Sequence, residues 1–212
     1  MRVKCIERDN SLPDITQNKI YSVYECEYKK NDEEINYNSF RIQDDYGSVI
    51  PYEAKYFKTV SNNNSNYVEK KIAEDEYKLT HKFISYSGFW SMFYEEDGTA
   101  LDDFWRAKKD IYIQEMSQDE MREILQGENQ DERDFILELL MEIKDDYFIE
   151  DSIKIGRRQL KEWTTNHSLE TLFLYISHFK NEEIDNFFIE YLSENEKGND
   201  KLDRIVSDYF NN

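Results

Sequence analysis

Five short apolar runs crowd into the first 60 residues: RVKCI, KIYSVYECE, NSFRIQ, SVIPYE and YFKTV. They alternate or cluster apolar residues over strand length, and the stretches between them (NSLPD, KKNDEEIN, DDYG and the break at Pro51) are turn-forming. Strands this short bury a face only against one another, so the spacing predicts a small five-stranded barrel over 1–60. In DDYG, Asp44 and Asp45 can fold back on local backbone and Gly47 supplies a permissive turn position, which fits a hairpin. Pro51 cannot donate to a ladder and places its strand at an edge or bend.

SNNNSNY, residues 61–67, has nothing to bury and reads as a linker. From Val68 onward the pattern reads as helical. Three start signals follow in series: Thr99 before ALDDFWRAKKDIYIQEM, Ser117 before QDEMREIL with Glu120 completing a capping box, and Asn129 before QDERDFILELLMEI with Glu132 at the same offset. Gly127 stands where the helix after Ser117 should stop. Further helices are expected at about 150–164, 168–179, 182–193 and 200–209, with links of a few residues. Short links make consecutive helices antiparallel neighbours, so residues 68–212 are expected to form an acidic all-α bundle or a short stack of helix pairs. The fold class is α+β.

The run from Lys4 through Val60, with KCIE, NKIYSVYE and FRIQDDYGSVIPYEAKYFKTV, resembles the small SH3-like barrels of many Firmicute and phage proteins. Such barrels serve as peptide, nucleic-acid or intramolecular docking modules. The resemblance therefore implies a fold and a choice of roles, and brings no catalytic signature.

Aromatic residues, 15% of the chain, can build a core although 34% of residues are charged. No apolar run approaches the roughly 20 residues of a membrane span, and MRVKCIERDN lacks the apolar segment of a signal peptide. A soluble, cytoplasmic protein is expected, with Cys5 and Cys26 as buried thiols rather than a disulfide. Of the net charge of −19, residues 1–60 hold −2 (9 Lys+Arg against 11 Asp+Glu) and the rest −17. An acidic second part repels free nucleic acid and attracts basic proteins.

Enzyme chemistry finds little purchase. His81, His167 and His178 have no second histidine at helical ligand spacing, and no Cys-x-x-Cys, nucleophile elbow, phosphate-binding glycine loop or calcium loop occurs. Glu142–Lys144 (EIK) and Glu76–Lys78 (EYK) match half of a metal-dependent nuclease site. EIK, however, lies in a helical pattern, and in a chain so rich in Glu and Lys both matches are read as chance. No catalytic residue, metal or cofactor is expected.

Three surfaces remain. The acidic cluster DDYFIED offers Asp145, Asp146, Glu150 and Asp151 to a basic partner. The aromatic run HKFISYSGFWSMFYEE carries Trp90 and Phe93, read as an apolar seam whose exposed remnant would anchor a partner. In KIGRRQLK, Lys154, Arg157, Arg158 and Lys161 fall on one helix face, opposite Ile149, Ile153, Leu160 and Trp163. That stripe would take a phosphate or acidic partner, or be neutralised by neighbouring acidic helices. The expected function is a non-enzymatic acidic protein that binds and masks a basic protein, as immunity and phage counter-defence proteins do. The alternative is a nucleic-acid-associated regulatory module using the barrel, with contacts from Lys4, Arg41, Lys55 and Lys58.

Overall fold

A computed structural model describes residues 1–7, 14–31, 34–161, 169–194 and 199–211. The chain divides into two compact units, Met1–Met116 and Ser117–Asn212. Among the described residues no helix is long and apolar enough to cross a membrane.

The first unit is built on seven antiparallel strands: β1 (Arg2–Cys5), β2 (Ile20–Asn31), β3 (Glu34–Gln43), β4 (Val49–Glu53), β5 (Phe57–Ser61), β6 (Tyr67–Lys71) and β7 (Glu76–His81). The five expected strands lie in the order β4-β3-β2-β1-β5. Asp44 makes the β3–β4 turn: its Oδ1 accepts from the Tyr46 and Ser48 amides, both at 2.9 Å, and Gly47 takes φ +87°. Pro51 lies on β4, at the end of the sheet, where its missing N–H costs nothing.

The expected linker and the helical reading of residues 68–81 do not hold. SNNNSNY begins inside β5, ends inside β6, and is a loop of the first unit, tied down by Tyr67, whose hydroxyl donates to the Val23 carbonyl at 2.6 Å. The reason lies in unequal strand lengths. β1 has four residues against twelve in β2, so one edge of β2 beyond Ser22 is left open, and β7 pairs there through Glu25–Lys29. The boundary between units falls at Met116.

A bulge in β2 organises this unit. The register with β3 slips between Val23 and Glu25, and one extra residue changes which side chains face in. Tyr21, Val23, Cys26 and Tyr28 join one core with Val3, Phe40 and Phe57. Tyr24 joins a second core with Phe89 of α1 (Phe89–Tyr94) and with Phe104 and Ile111 of α2 (Gly98–Glu115). Helix α2 starts two residues ahead of the expected Thr99 cap: Asp97 Oδ1 accepts from the Thr99 and Ala100 amides at 3.0 and 3.1 Å.

The second unit holds α3 (Gln118–Gln126), α4 (Gln130–Ile143), α5 (Ile149–Lys161), α6 (Glu170–Ser177), α7 (Glu182–Glu194) and α8 (Asp200–Asn211). Ser117 and Glu120 form the expected capping box, Asn129 accepts from the Glu132 amide, and α3 stops at Gly127. Trp163 lies outside the described residues. Helix α6 is the apolar centre, with Leu172, Phe173, Tyr175 and Ile176 buried, and packs on α4, α5 and α8. Gly156 of α5 permits a close approach: a Cβ there would lie 2.9 Å from Phe187 Cζ and 3.2 Å from Leu172 Cδ2. Gly156→Val is therefore expected to destabilise this unit by about 1–3 kcal/mol through overpacking. Urea denaturation checks it, and an unchanged midpoint would contradict the packing.

Candidate functional site

The acidic cluster sits on the α4–α5 connection and the first turn of α5. Lys144 ends α4 in the left-handed region (φ +55°), which turns the chain sharply enough for Asp145 Oδ1 to accept from the Tyr147 amide at 3.0 Å. Glu150 and Asp151 then occupy the first turn of α5, where carboxylates face the positive end of the helix dipole. The four predicted acids differ in what they do. Asp151 is mostly buried and accepts from Arg122 Nε at 3.1 Å, Glu150 meets Lys154 at 3.4 Å while staying exposed, Asp145 closes the turn, and Asp146 faces solvent.

Arg122 of α3 is the hub of this surface. Besides Asp151 it bonds Asp119 Oδ1 at 3.0 Å and the Tyr147 hydroxyl at 3.3 Å. Tyr147 is thereby fixed at its hydroxyl while 49% exposed, and its ring meets the fully buried Phe148 edge-on at 4.9 Å. Asp119, which shares Arg122 with it, and Asp146 and Glu150, one and three residues away in the chain, are exposed. An aromatic ring fixed by its hydroxyl on an acidic surface can insert into a basic partner's surface at low entropic cost. Tyr147 is not among the residues singled out from sequence, although it stands inside DDYFIED; the signal was an aromatic pair, Tyr147 and Phe148, between acidic pairs.

The basic stripe on α5 divides. Arg157 Nε meets Glu190 of the neighbouring α7 at 2.8 Å, while Lys154 meets Glu150 one turn earlier on α5 itself, both exposed. Arg158 and Lys161 are exposed and form no ion pair among the described residues.

Trp90 and Phe93 lie in the first unit, where they act as a seam. Trp90 Nε1 donates to Glu25 Oε2 at 3.0 Å, the Arg41 guanidinium lies 4.3 Å over its ring, and Phe93 packs on Phe104 at 4.8 Å. Glu25 also accepts from Thr80 Oγ1 at 3.0 Å and faces Arg41 and Lys78, each at 3.4 Å. Arg41 is thus held by Glu25, Trp90 and the Tyr94 hydroxyl, with its side chain 17% exposed. Of the other cations of the nucleic-acid reading, Lys55 pairs with Glu53 at 2.6 Å, while Lys4 and Lys58 stand opposite each other across β1 and β5.

The remaining candidates are spread over both units. EYK does lie on a strand, β7, but Glu76 pairs with Lys29 and Lys78 with Glu27 and Glu25. EIK ends α4. No group of three metal-ligating side chains gathers among the described residues. Cys5 and Cys26 are buried thiols not joined in a disulfide, and burial pushes the Cys26 thiol up to about 12. His178 is exposed at the end of α6, and His167 lies outside the described residues.

His81 is fully buried, and its Nε2–H donates to Asp110 Oδ2 at 2.9 Å, an oxygen that also accepts from Asn66 and Gln114. Its Nδ1 is buried with no partner, and its ring packs against those of Tyr67 and Phe83 at 5.3 and 5.4 Å. Burial lowers the His81 pKa from its ordinary 6.5, against the pull of Asp110. The unfolded chain thus binds the proton more readily, so this contribution is fully present above pH 6.5 and is lost as pH falls from there through the lower folded value. The first unit is expected to lose stability with a slope of at most one proton as pH drops below 6.5, and His81→Gln should flatten that slope. Urea midpoints between pH 7.5 and about 5 check it; a wild-type slope that His81→Gln leaves unchanged would contradict it.

No protein-family model, curated protein or solved structure matches this chain.

Proposed function

We propose that this protein is a non-enzymatic interaction protein whose acidic second unit binds and masks a basic protein partner. The observation that carries the reading is Tyr147, half-exposed and bonded at its hydroxyl by Arg122, which also holds Asp119, with exposed Asp146 and Glu150 nearby in the chain. The unit around it holds 11 Lys+Arg against 24 Asp+Glu, a net of −13, against −6 (16 and 22) for the first unit. Charge of this sign and density speeds encounter with a basic surface, and a fixed aromatic at its centre slows escape. An immunity-like or counter-defence-like role follows from that chemistry as analogy only.

The test compares wild type with a Tyr147→Ala, Asp146→Asn, Glu150→Gln variant in capture from native extract. A stoichiometric basic protein retained by wild type and lost by the variant, with melting unchanged, supports the reading. Retention by both places binding elsewhere and defeats it.

The alternative reading assigns the function to the first unit as an SH3-like nucleic-acid-associated module. The strand order β4-β3-β2-β1-β5, with a single 3-10 turn at Ala54–Tyr56 between β4 and β5, supports such a barrel, and the facing Lys4 and Lys58 supply its cations. A nucleic-acid absorbance signature in the captured material would favour it.

A further inference from the structure

Strand β6 pairs with β7 on one side, and among the described residues its other edge is open. Residues 68–72 are all exposed, Val68 at 37% and Ile72 at 49%. An open edge is a template for a further strand, and the charges along it decide which strand is admitted. The backbone bonds define what this edge offers. Asn66 accepts from the Lys82 amide at 2.8 Å and the Ile72 amide donates to the Glu76 carbonyl at 2.9 Å, so the even-numbered residues turn their N–H and C=O groups to β7. Glu69 and Lys71 therefore turn theirs outward, while the outward amide of Tyr67 is taken by the Asn64 carbonyl at 3.0 Å.

A second copy of the same strand fits those groups in one register. Two antiparallel strands related by a two-fold axis keep like faces together, so each outward residue meets an outward residue. With Glu69 opposite Glu69 the carboxylates collide, and Lys71 falls opposite Tyr67, whose amide is occupied. With Lys71 opposite Lys71 the ammonium groups collide, and Glu69 falls opposite Ala73, beyond the end of the strand. With Glu69 opposite Lys71 of the second copy, every outward N–H and C=O of these two residues finds a partner. Opposite charges then pair twice on one face, and on the other Val68 lies against Ile72 of the second copy, again twice. Glu69 is already fixed, accepting from the Tyr28 hydroxyl, and Lys70, which falls on the axis, is drawn aside by the Ser85 carbonyl of its own chain.

We propose that β6 joins a second copy of this chain by antiparallel strand pairing, with Glu69 opposite Lys71, so that the sheets of two first units run on as one. The pairing lies in the first unit and does not depend on what the acidic second unit binds. So short a ladder makes a small interface, and the dimer forms in a concentration-dependent way.

Sedimentation of the full chain over a concentration series tests it, and a monomer–dimer equilibrium is expected. Glu69→Lys, which turns both ion pairs into lysine pairs, should raise the dissociation constant about tenfold, and Glu69→Lys combined with Lys71→Glu should restore it. Cross-linking reads the register. Lys70→Cys should form an intermolecular disulfide under mild oxidation, since Cα atoms opposed in that kind of pair lie about 4.5 Å apart. Glu69→Cys, whose opposite residue is Lys71, should not, and Cys5 and Cys26 are buried. A chain that stays monomeric at millimolar concentration, a dimer indifferent to Glu69→Lys, or Glu69→Cys cross-linking as readily as Lys70→Cys would overturn the proposal.

Discussion

Glu25→Ala is expected to destabilise the first unit by about 3–5 kcal/mol, because it removes the buried carboxylate that faces Arg41 and accepts from Thr80 and Trp90, leaving Lys78 only Glu27. Glu25 is 6% exposed, faces Arg41 and Lys78, and accepts from Thr80 and Trp90. Its loss strands the Arg41 guanidinium under Trp90 and leaves the indole N–H and threonine hydroxyl without an acceptor. Glu25→Gln should cost less, since an amide oxygen still accepts from Trp90 but no longer neutralises two cations. Hydrogen exchange across β2, β3 and β7 reads the effect in the unit where it acts. A loss under about 1 kcal/mol would mean that the network is a surface arrangement and that α1 is held by apolar contact alone.

Phe173→Ala should have a similar effect on the second unit, about 3–5 kcal/mol. The ring is fully buried on α6 and meets Phe187, Phe188 and Tyr191 at centroid distances of 5.4, 5.5 and 5.1 Å. These come from α7, which also lies against Gly156 of α5, so the cavity left by the ring opens where three helices meet and cannot close by moving one of them. Urea denaturation followed through helix content measures it. A cost under about 2 kcal/mol would show that α6 is not the centre of this unit.

The sequence disclosed these cores unevenly, for physical reasons. Strands β1–β5 were legible because turn residues punctuate them, and the Ser117 and Asn129 caps because capping is local chemistry. Strands β6 and β7 were not: VEKK and EYKLTH are strands by virtue of the open edge of β2, a nonlocal fact. The cap of α2 moved to Asp97 because its carboxylate takes the Thr99 and Ala100 amides, which puts Thr99 inside the first turn. Within the candidate surface, charge was legible and geometry was not. DDYFIED gave the acids, while the ring that gives them a centre depends on Arg122, 25 residues away. Arg133 was hidden by its neighbours, since ENQDERD reads as solvated charge, yet its offsets of three, four and seven to Ile136, Leu137 and Leu140 place it on the buried face.

The central claim is that the acidic second unit acts by attracting and holding a basic protein, and association kinetics with the captured partner at two salt concentrations test it most directly. The Debye length shrinks from about 30 Å at 0.01 M to about 8 Å at 0.15 M salt. The on-rate should therefore fall steeply across that range while the off-rate changes little, and neutralising Asp145, Asp146, Glu150 and Asp151 should slow association more than it speeds dissociation. An on-rate indifferent to salt, with the neutralised variant associating as fast as wild type, would contradict the account.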